Sequence, residues 1–233
     1  CLNGIAAKRE DGFNAFGKTK KKLNFIKIKN FVNSEINKRS KGKDNLNFQS
    51  NAMKSINKKD YILILLSSGW DSSSLMTHKI FKDNKAWLKE TLEWIAKNYK
   101  NQKILIREHP HLRIKEFKSN DNFYEIYNKF KNVEIIDSYS KLNTYKLIKK
   151  SKFIITTVST SGIEASILKK NSIFVGKCIY EKFNFFKNIK TKKDYFGEIV
   201  RLQKNNKFPD KYQKRAINCY FFCDYLKMVE TKY

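Results

Sequence analysis

From position 61 onward, short unbroken apolar runs alternate with longer stretches whose apolar residues recur every three or four positions. Residues 61–66, 103–106, 133–136, 153–158 and 172–175 are runs of strand length, rich in Ile, Val and Leu. Unbroken runs of that kind read as strands buried on both faces, as in a parallel sheet covered by helices. Between them, residues 86–99 put Trp87, Leu88, Leu92, Ile95 and Tyr99 on one helical face, with Asp83 available as a cap. Residues 121–131 repeat the spacing with Phe123, Ile126, Tyr127 and Phe130, and Ser140 is placed to cap a helix running to about Lys150. A helix over 163–169 and an amphipathic one over 210–228 complete the pattern. Strands alternating with helices predict βαβ units. The expected fold is α/β, a Rossmann-like parallel sheet closed by a helical C-terminal tail.

Residues 1–59 have a different texture, polar and rich in Lys and Asn with weak periodicity. The pattern divides the chain into a remnant of an N-terminal domain with its linker (1–59), a nucleotide-binding-type domain (60–190) and a helical closure (191–233). The first residue is Cys1 rather than methionine, which leads to the expectation that the chain is the later part of a longer polypeptide. No run approaches the ~20 apolar residues of a membrane span. The start also lacks the apolar core of a secretory signal.

Charge changes this picture less than its size suggests. The net charge is +27, carried by 43 lysines against six arginines. The lysines are spread along the chain, with short clusters at 18–22 and 190–193. Abundant Lys, Asn and Ile are what an AT-rich genome writes on any exposed surface. Attraction to an anionic substrate or membrane face is the second reading of the surplus. Nucleic-acid binding is the third, since no recognition motif accompanies the charge. Of the four cysteines, Cys219 and Cys223 lie four apart on an expected helix and no zinc spacing surrounds them. They read as small buried hydrophobes, consistent with a reducing cytoplasm.

Candidate chemistry gathers where strands end. The run at 153–158 stops at Ser159-Thr160-Ser161-Gly162, just before a helix. Hydroxyls and free N–H groups at a helix start suit a phosphate, with Gly162 allowing close approach; an ordinary N-cap is the plainer reading. Glu164 has two readings, as an acceptor for ribose hydroxyls or as the carboxylate of a capping box with Ser161. The strand at 103–106 ends in Arg107-Glu108-His109-Pro110. His109 can donate to a departing phosphate or protonate it, Pro110 would fix the loop, and Arg107 can pair with Glu108 or with a substrate anion. The first strand ends in Ser67-Ser68-Gly69-Trp70-Asp71, where Ser67 and Ser68 would line the cleft and Trp70 has two readings, stacking on a base or sugar there or, more plainly, packing within its own loop. No GxGxxG, Walker A, HExxH or paired CxxC motif is present, so dinucleotide oxidation, P-loop hydrolysis and zinc chemistry have no support.

In order and context, residues 67–71, the run Arg107-Glu108-His109-Pro110 and the run Ser159-Thr160-Ser161-Gly162-Ile163-Glu164-Ala165 resemble the bacterial capsule polysaccharide biosynthesis family, over about residues 61–180. The resemblance implies the C-terminal, donor-binding half of a GT-B glycosyltransferase, similar to Kdo-transferase and sialyltransferase donor halves. It implies sugar transfer from a nucleotide-activated donor, with CMP-sugar the first guess, to a growing capsule or lipopolysaccharide glycan. By the same resemblance His109 is catalytic, Ser159, Thr160 and Ser161 meet the donor phosphate, and Glu164 stands near the ribose. No bound cofactor or metal is implied, the nucleotide sugar being a substrate. The implied location is cytoplasmic, extending to the inner face of the inner membrane. A non-catalytic partner in polysaccharide assembly or export that keeps the fold is the alternative. Lys169-Lys170-Asn171-Ser172 departs from the glycine-lysine-proline turn usual at that point of the family.

Overall fold

The computed structural model describes residues 24–43, 59–67, 80–110, 124–176 and 178–230. Five strands, β1 (Ile62–Leu65), β2 (Ile104–Arg107), β3 (Val133–Ile136), β4 (Phe153–Thr156) and β5 (Ser172–Phe174), form one sheet in the order β3-β2-β1-β4-β5. Every pairing is parallel. The expected α/β sheet is therefore present. Its strand order reverses between β1 and β4, which is where such sheets open a crevice at their carboxyl edge.

Alternation along each strand assigns the two faces. Ile62, Ile64, Ile104, Ile106, Phe153, Ile155 and Ile173 pack with Trp87, Leu88, Leu92 and Ile95 of helix α2 (Asn84–Asn98) and with Tyr195, Ile199 and Leu202 of a later helix, α6 (Lys192–Lys204). The Trp87 indole N–H donates to the Tyr195 hydroxyl at 3.2 Å, tying α2 to α6 inside the core. On the other face Leu63, Leu65, Leu105 and Ile154 meet Leu147 and Ile148 of α4 (Thr144–Lys150) and Ala165 of α5 (Thr160–Ile167). Beyond α5 lies a second apolar cluster. There α1 (Phe25–Ser40), α7 (Asp210–Glu230) and a 3-10 turn at Ile179–Phe183 pack around Ile163, Phe174 and Phe222.

Several boundaries differ from the sequence reading. Asp83 caps α2 as expected, accepting from Ala86 N at 2.7 Å. The helix expected from Ser140 starts at Thr144 instead, because Asn143 is the residue that caps it. Residues 121–131 yield only the single turn α3 (Tyr124–Tyr127), with 121–123 outside the described residues. Helix α1 falls where no helix is expected, and α6 falls within the expected helical closure (191–233) without having been placed as an element of its own. In α1 only Ile28, Val32 and Ile36 are buried, a stripe too narrow to stand out among lysines and asparagines. The apolar positions of α6 are likewise diluted by charge, and its start is set by a Thr191–Asp194 capping box.

The departure at 169–172 has a conformational meaning. Helix α5 ends with Lys169 at φ 60°, while Lys170 N donates to Ala165 O and Lys169 N to Ser166 O. That is a Schellman ending, whose left-handed position favours glycine. Here a lysine holds it.

Candidate functional site

The register decides what meets at the carboxyl edge. Leu65 of β1 lies opposite Arg107 of β2 on one side and Thr156 of β4 on the other. The strands carrying His109 and Ser159 therefore flank β1, about 10 Å apart at two strand spacings, and both run out over the same edge. Residues separated by fifty positions in the chain are placed at one rim by topology alone. Between them Ser67 lies two residues past β1, its hydroxyl 2.6 Å from that of Thr157. Ser68 and Trp70 lie outside the described residues.

Helix α5 begins three residues before the expected start. Ser159 is its N-cap, with Oγ accepting from Ser161 N at 3.2 Å. Thr160 and Ser161 thus occupy the first turn itself, and Ser159, Thr160 and Ser161 are all partly exposed. Their hydroxyls and the first-turn N–H groups make a donor-rich helix start with the positive end of its dipole facing outward. His109 and Pro110, two and three residues past β2, are partly exposed on the neighbouring loop.

Three other expected site residues are held by the protein itself. Gly162 is buried, and a Cβ there would stand 2.4 Å from the Phe174 ring. Phe174 is fixed among Tyr180, Phe185 and Phe186. The glycine lets α5 lie close on β5, rather than letting a phosphate approach. Gly162→Ala is expected to cost about 1–3 kcal/mol through overpacking. Chemical denaturation should show a lower midpoint at unchanged slope.

Arg107 is only 2% exposed. Its guanidinium donates to the Asp137 carbonyl at 2.6 Å and the Ser140 carbonyl at 3.1 Å. Beside it, the Glu108 carboxylate accepts from Ser138 N at 3.0 Å, and burial raises its pKa against the opposing pull of that N–H. The Arg107-Glu108 pair thus ties the histidine loop to the loop after β3. Sequence reasoning did not single out that second loop, residues 137–140. It carries Tyr139, which is 65% exposed. Its signal was the Asp-Ser-Tyr-Ser run, in which Asp137 accepts from Tyr139 N at 2.7 Å.

Glu164 does not stand open on a rim. It is 3% exposed, and its carboxylate pairs with Arg39 of α1 at 2.6 Å. The Tyr145 hydroxyl also bonds it, and burial followed by the Glu164 charge pushes the Tyr145 pKa far up. Burial, the largest single influence, would lower the Arg39 pKa, but the Glu164 charge together with Tyr145 and Tyr220 raises it above its ordinary value. The expected capping box with Ser161 is replaced by the Ser159 cap.

Away from this edge, a groove of about 490 Å³ opens at the amino ends of β2 and β3, lined by Lys100, Lys103, Lys131 and Glu134 among others. Among the described residues no group of three or more His, Cys, Asp or Glu is arranged to hold a metal ion, and no helix is long and apolar enough to cross a membrane.

Comparison with known proteins follows the same line. The family described as "Capsule polysaccharide biosynthesis protein" matches residues 18–184. No curated protein matches the sequence. Among solved structures, KpsC of Thermosulfurimonas dismutans, a beta Kdo 2,4 transferase, aligns at TM-score 0.50 and 13% identity, over 84% of this chain and 56% of that one. The UDP-GlcNAc 2-epimerase of Neisseria meningitidis, bound to UDP-GlcNAc, aligns at TM-score 0.46 and 18% identity, over 74% and 44%. The wall teichoic acid polymerase TagF aligns at TM-score 0.41 and 16% identity, over 90% of this chain and 49% of that one. The chain spans little more than half of the first of these proteins and less than half of the other two. What is shared with the Kdo transferase is the fold.

Proposed function

Because the chain belongs to the capsule polysaccharide biosynthesis family, we propose that it supplies the donor-binding half of a GT-B glycosyltransferase, moving a sugar from a nucleotide-activated donor to a growing surface glycan. One observation carries this reading. The histidine loop after β2 and the hydroxyl-rich start of α5 after β4 run out over one carboxyl edge, on either side of β1. In open parallel sheets that crevice is where nucleotides bind.

In this reading the bond from the sugar to the donor phosphate breaks as an acceptor hydroxyl attacks the sugar carbon and gives up its proton to a base of the acceptor-binding half. The electron pair leaves on the phosphate oxygen. Ser159, Thr160 and Ser161 receive that phosphate with hydroxyls and first-turn N–H groups, which are preorganised to favour developing negative charge. His109, held by Pro110, donates to the departing phosphate or protonates it. Ser67 lines the floor between them. Gly162 and Arg107 serve by shaping the edge rather than by touching the donor. In domain terms, residues 60–190 are the nucleotide-binding unit, 1–59 its approach from an acceptor-binding half, and 191–233 its closure. The setting is the cytoplasm, at the inner membrane face where a glycan acceptor is held.

CMP is the preferred nucleotide, on the pairing of the histidine-proline loop with the serine-rich turn. Calorimetry on the full chain with CMP, UDP, GMP and ADP is expected to give the largest heat with CMP. Equal or absent heats for all four would remove the donor-site reading. Binding without donor turnover, in the complete gene product, would favour the non-catalytic assembly partner instead.

A further inference from the structure

Glu164 poses an electrostatic problem that the fold answers in an unexpected place. It is the fifth residue past the Ser159 cap, so its Cα lies roughly 8 Å along the axis from the helix start, at 1.5 Å per residue. A bare buried carboxylate at that distance would oppose the anion that the helix start is suited to receive. Its partner comes from neither β4 nor α5. Arg39 reaches it from α1, 125 positions earlier, at 2.6 Å. Arg39 also approaches the Tyr220 hydroxyl of α7 at 3.5 Å, and Tyr145 of α4 bonds the same carboxylate. One residue further along α1, the Ser40 carbonyl accepts from the side chain of Asn143, the cap of α4, at 2.9 Å. The C-terminal end of α1 is thereby fixed against the two helices on that side of the edge.

We propose that Arg39 is a positioning residue for the donor site, cancelling the charge of Glu164 so that the start of α5 keeps its affinity for an anion. The proposal rests on the donor-site reading of the Ser159 turn. It also makes α1 a working part of that site, although α1 lies outside the motifs from which the site was read. An uncancelled unit charge about 8 Å from a bound anion, at an effective dielectric near 20, corresponds to roughly 30-fold in affinity. Glu164 then has no need to touch a ribose.

The test is calorimetry on the full chain, using whichever of CMP, UDP, GMP and ADP binds the unmodified protein most tightly, with melting temperatures recorded alongside. Arg39→Gln should weaken binding by about 30-fold at low salt, the charge arithmetic above. Arg39→Lys, which keeps the charge, should bind within a few-fold of the unmodified protein. The decisive variant is Arg39→Gln combined with Glu164→Gln. With both charges gone, affinity should return to near the starting value even though the melting temperature does not. A double variant as weak as Arg39→Gln alone would overturn the charge role and leave Arg39 a structural strut. If Arg39→Gln does not fold, Glu164→Gln alone decides: it should bind as tightly as the unmodified protein or tighter, whereas weaker binding would return Glu164 to the ribose and overturn the proposal. An unmodified chain that binds none of the four nucleotides would instead bring down the donor-site reading beneath it.

Discussion

His109→Ala is expected to lower sugar transfer by the complete gene product by about 10²–10⁴-fold, the range associated with losing a general acid. The reason is position. His109 stands two residues beyond β2 at the carboxyl edge, partly exposed, outside the three apolar clusters that stabilise the fold. Removing its imidazole should therefore leave the melting temperature within a few degrees of the starting value. Two measurements on one preparation separate the roles, initial rates with a nucleotide-sugar donor and a thermal melt. A large fall in melting temperature with activity retained by the folded fraction would mark His109 as a structural residue. That result would also take the chemistry out of the histidine loop.

Arg107→Leu should act the opposite way, on stability first. The Arg107 guanidinium is buried and bridges two carbonyls of the loop after β3. Hydrogen bonds involving a charged group contribute about 1.5–3 kcal/mol each, and carbonyls left buried without a donor add a desolvation cost. A loss of about 3 kcal/mol is expected. For a domain of this size that lowers the melting temperature by roughly 6–12 °C. Nucleotide affinity, measured well below the new melting point, should change little. A variant that kept its melting temperature but lost nucleotide binding would instead make Arg107 a donor ligand. Together the two substitutions divide neighbouring residues of one strand end into a group that meets substrate and a group that holds the loop.

Much of the architecture was legible in the sequence, because the local pattern and the global fold impose the same demand. A strand buried on both faces must be largely apolar, so β1, β2 and β4 announced themselves as apolar runs, while the half-buried β3 carries Glu134 among its apolar residues; all four were placed within two residues of their observed ends. The capping of α2 by Asp83 was likewise visible, since a cap satisfies backbone donors within one turn. The motifs at 107–110 and 159–165 could be found because tight turns and helix starts restrict which residues fit. The strand order then follows from the register, and with it the convergence of both motifs on one edge.

What the sequence could not show is where a side chain finds a partner far along the chain. Glu164 looked available because none of its sequence neighbours bears a positive charge; Arg39 reaches it only after α1 has packed on α7, which itself packs on α5. Gly162 looked like an opening for a phosphate, until the Phe174 ring filled the space. Arg107 looked like an anion ligand, until the loop after β3 folded back over it and supplied two carbonyls. Hydrophobic periodicity and turn chemistry are local and survive in one dimension. Ion pairs, ring contacts and loop carbonyls are assigned by packing, so for these three residues only the tertiary structure decided what the side chain does.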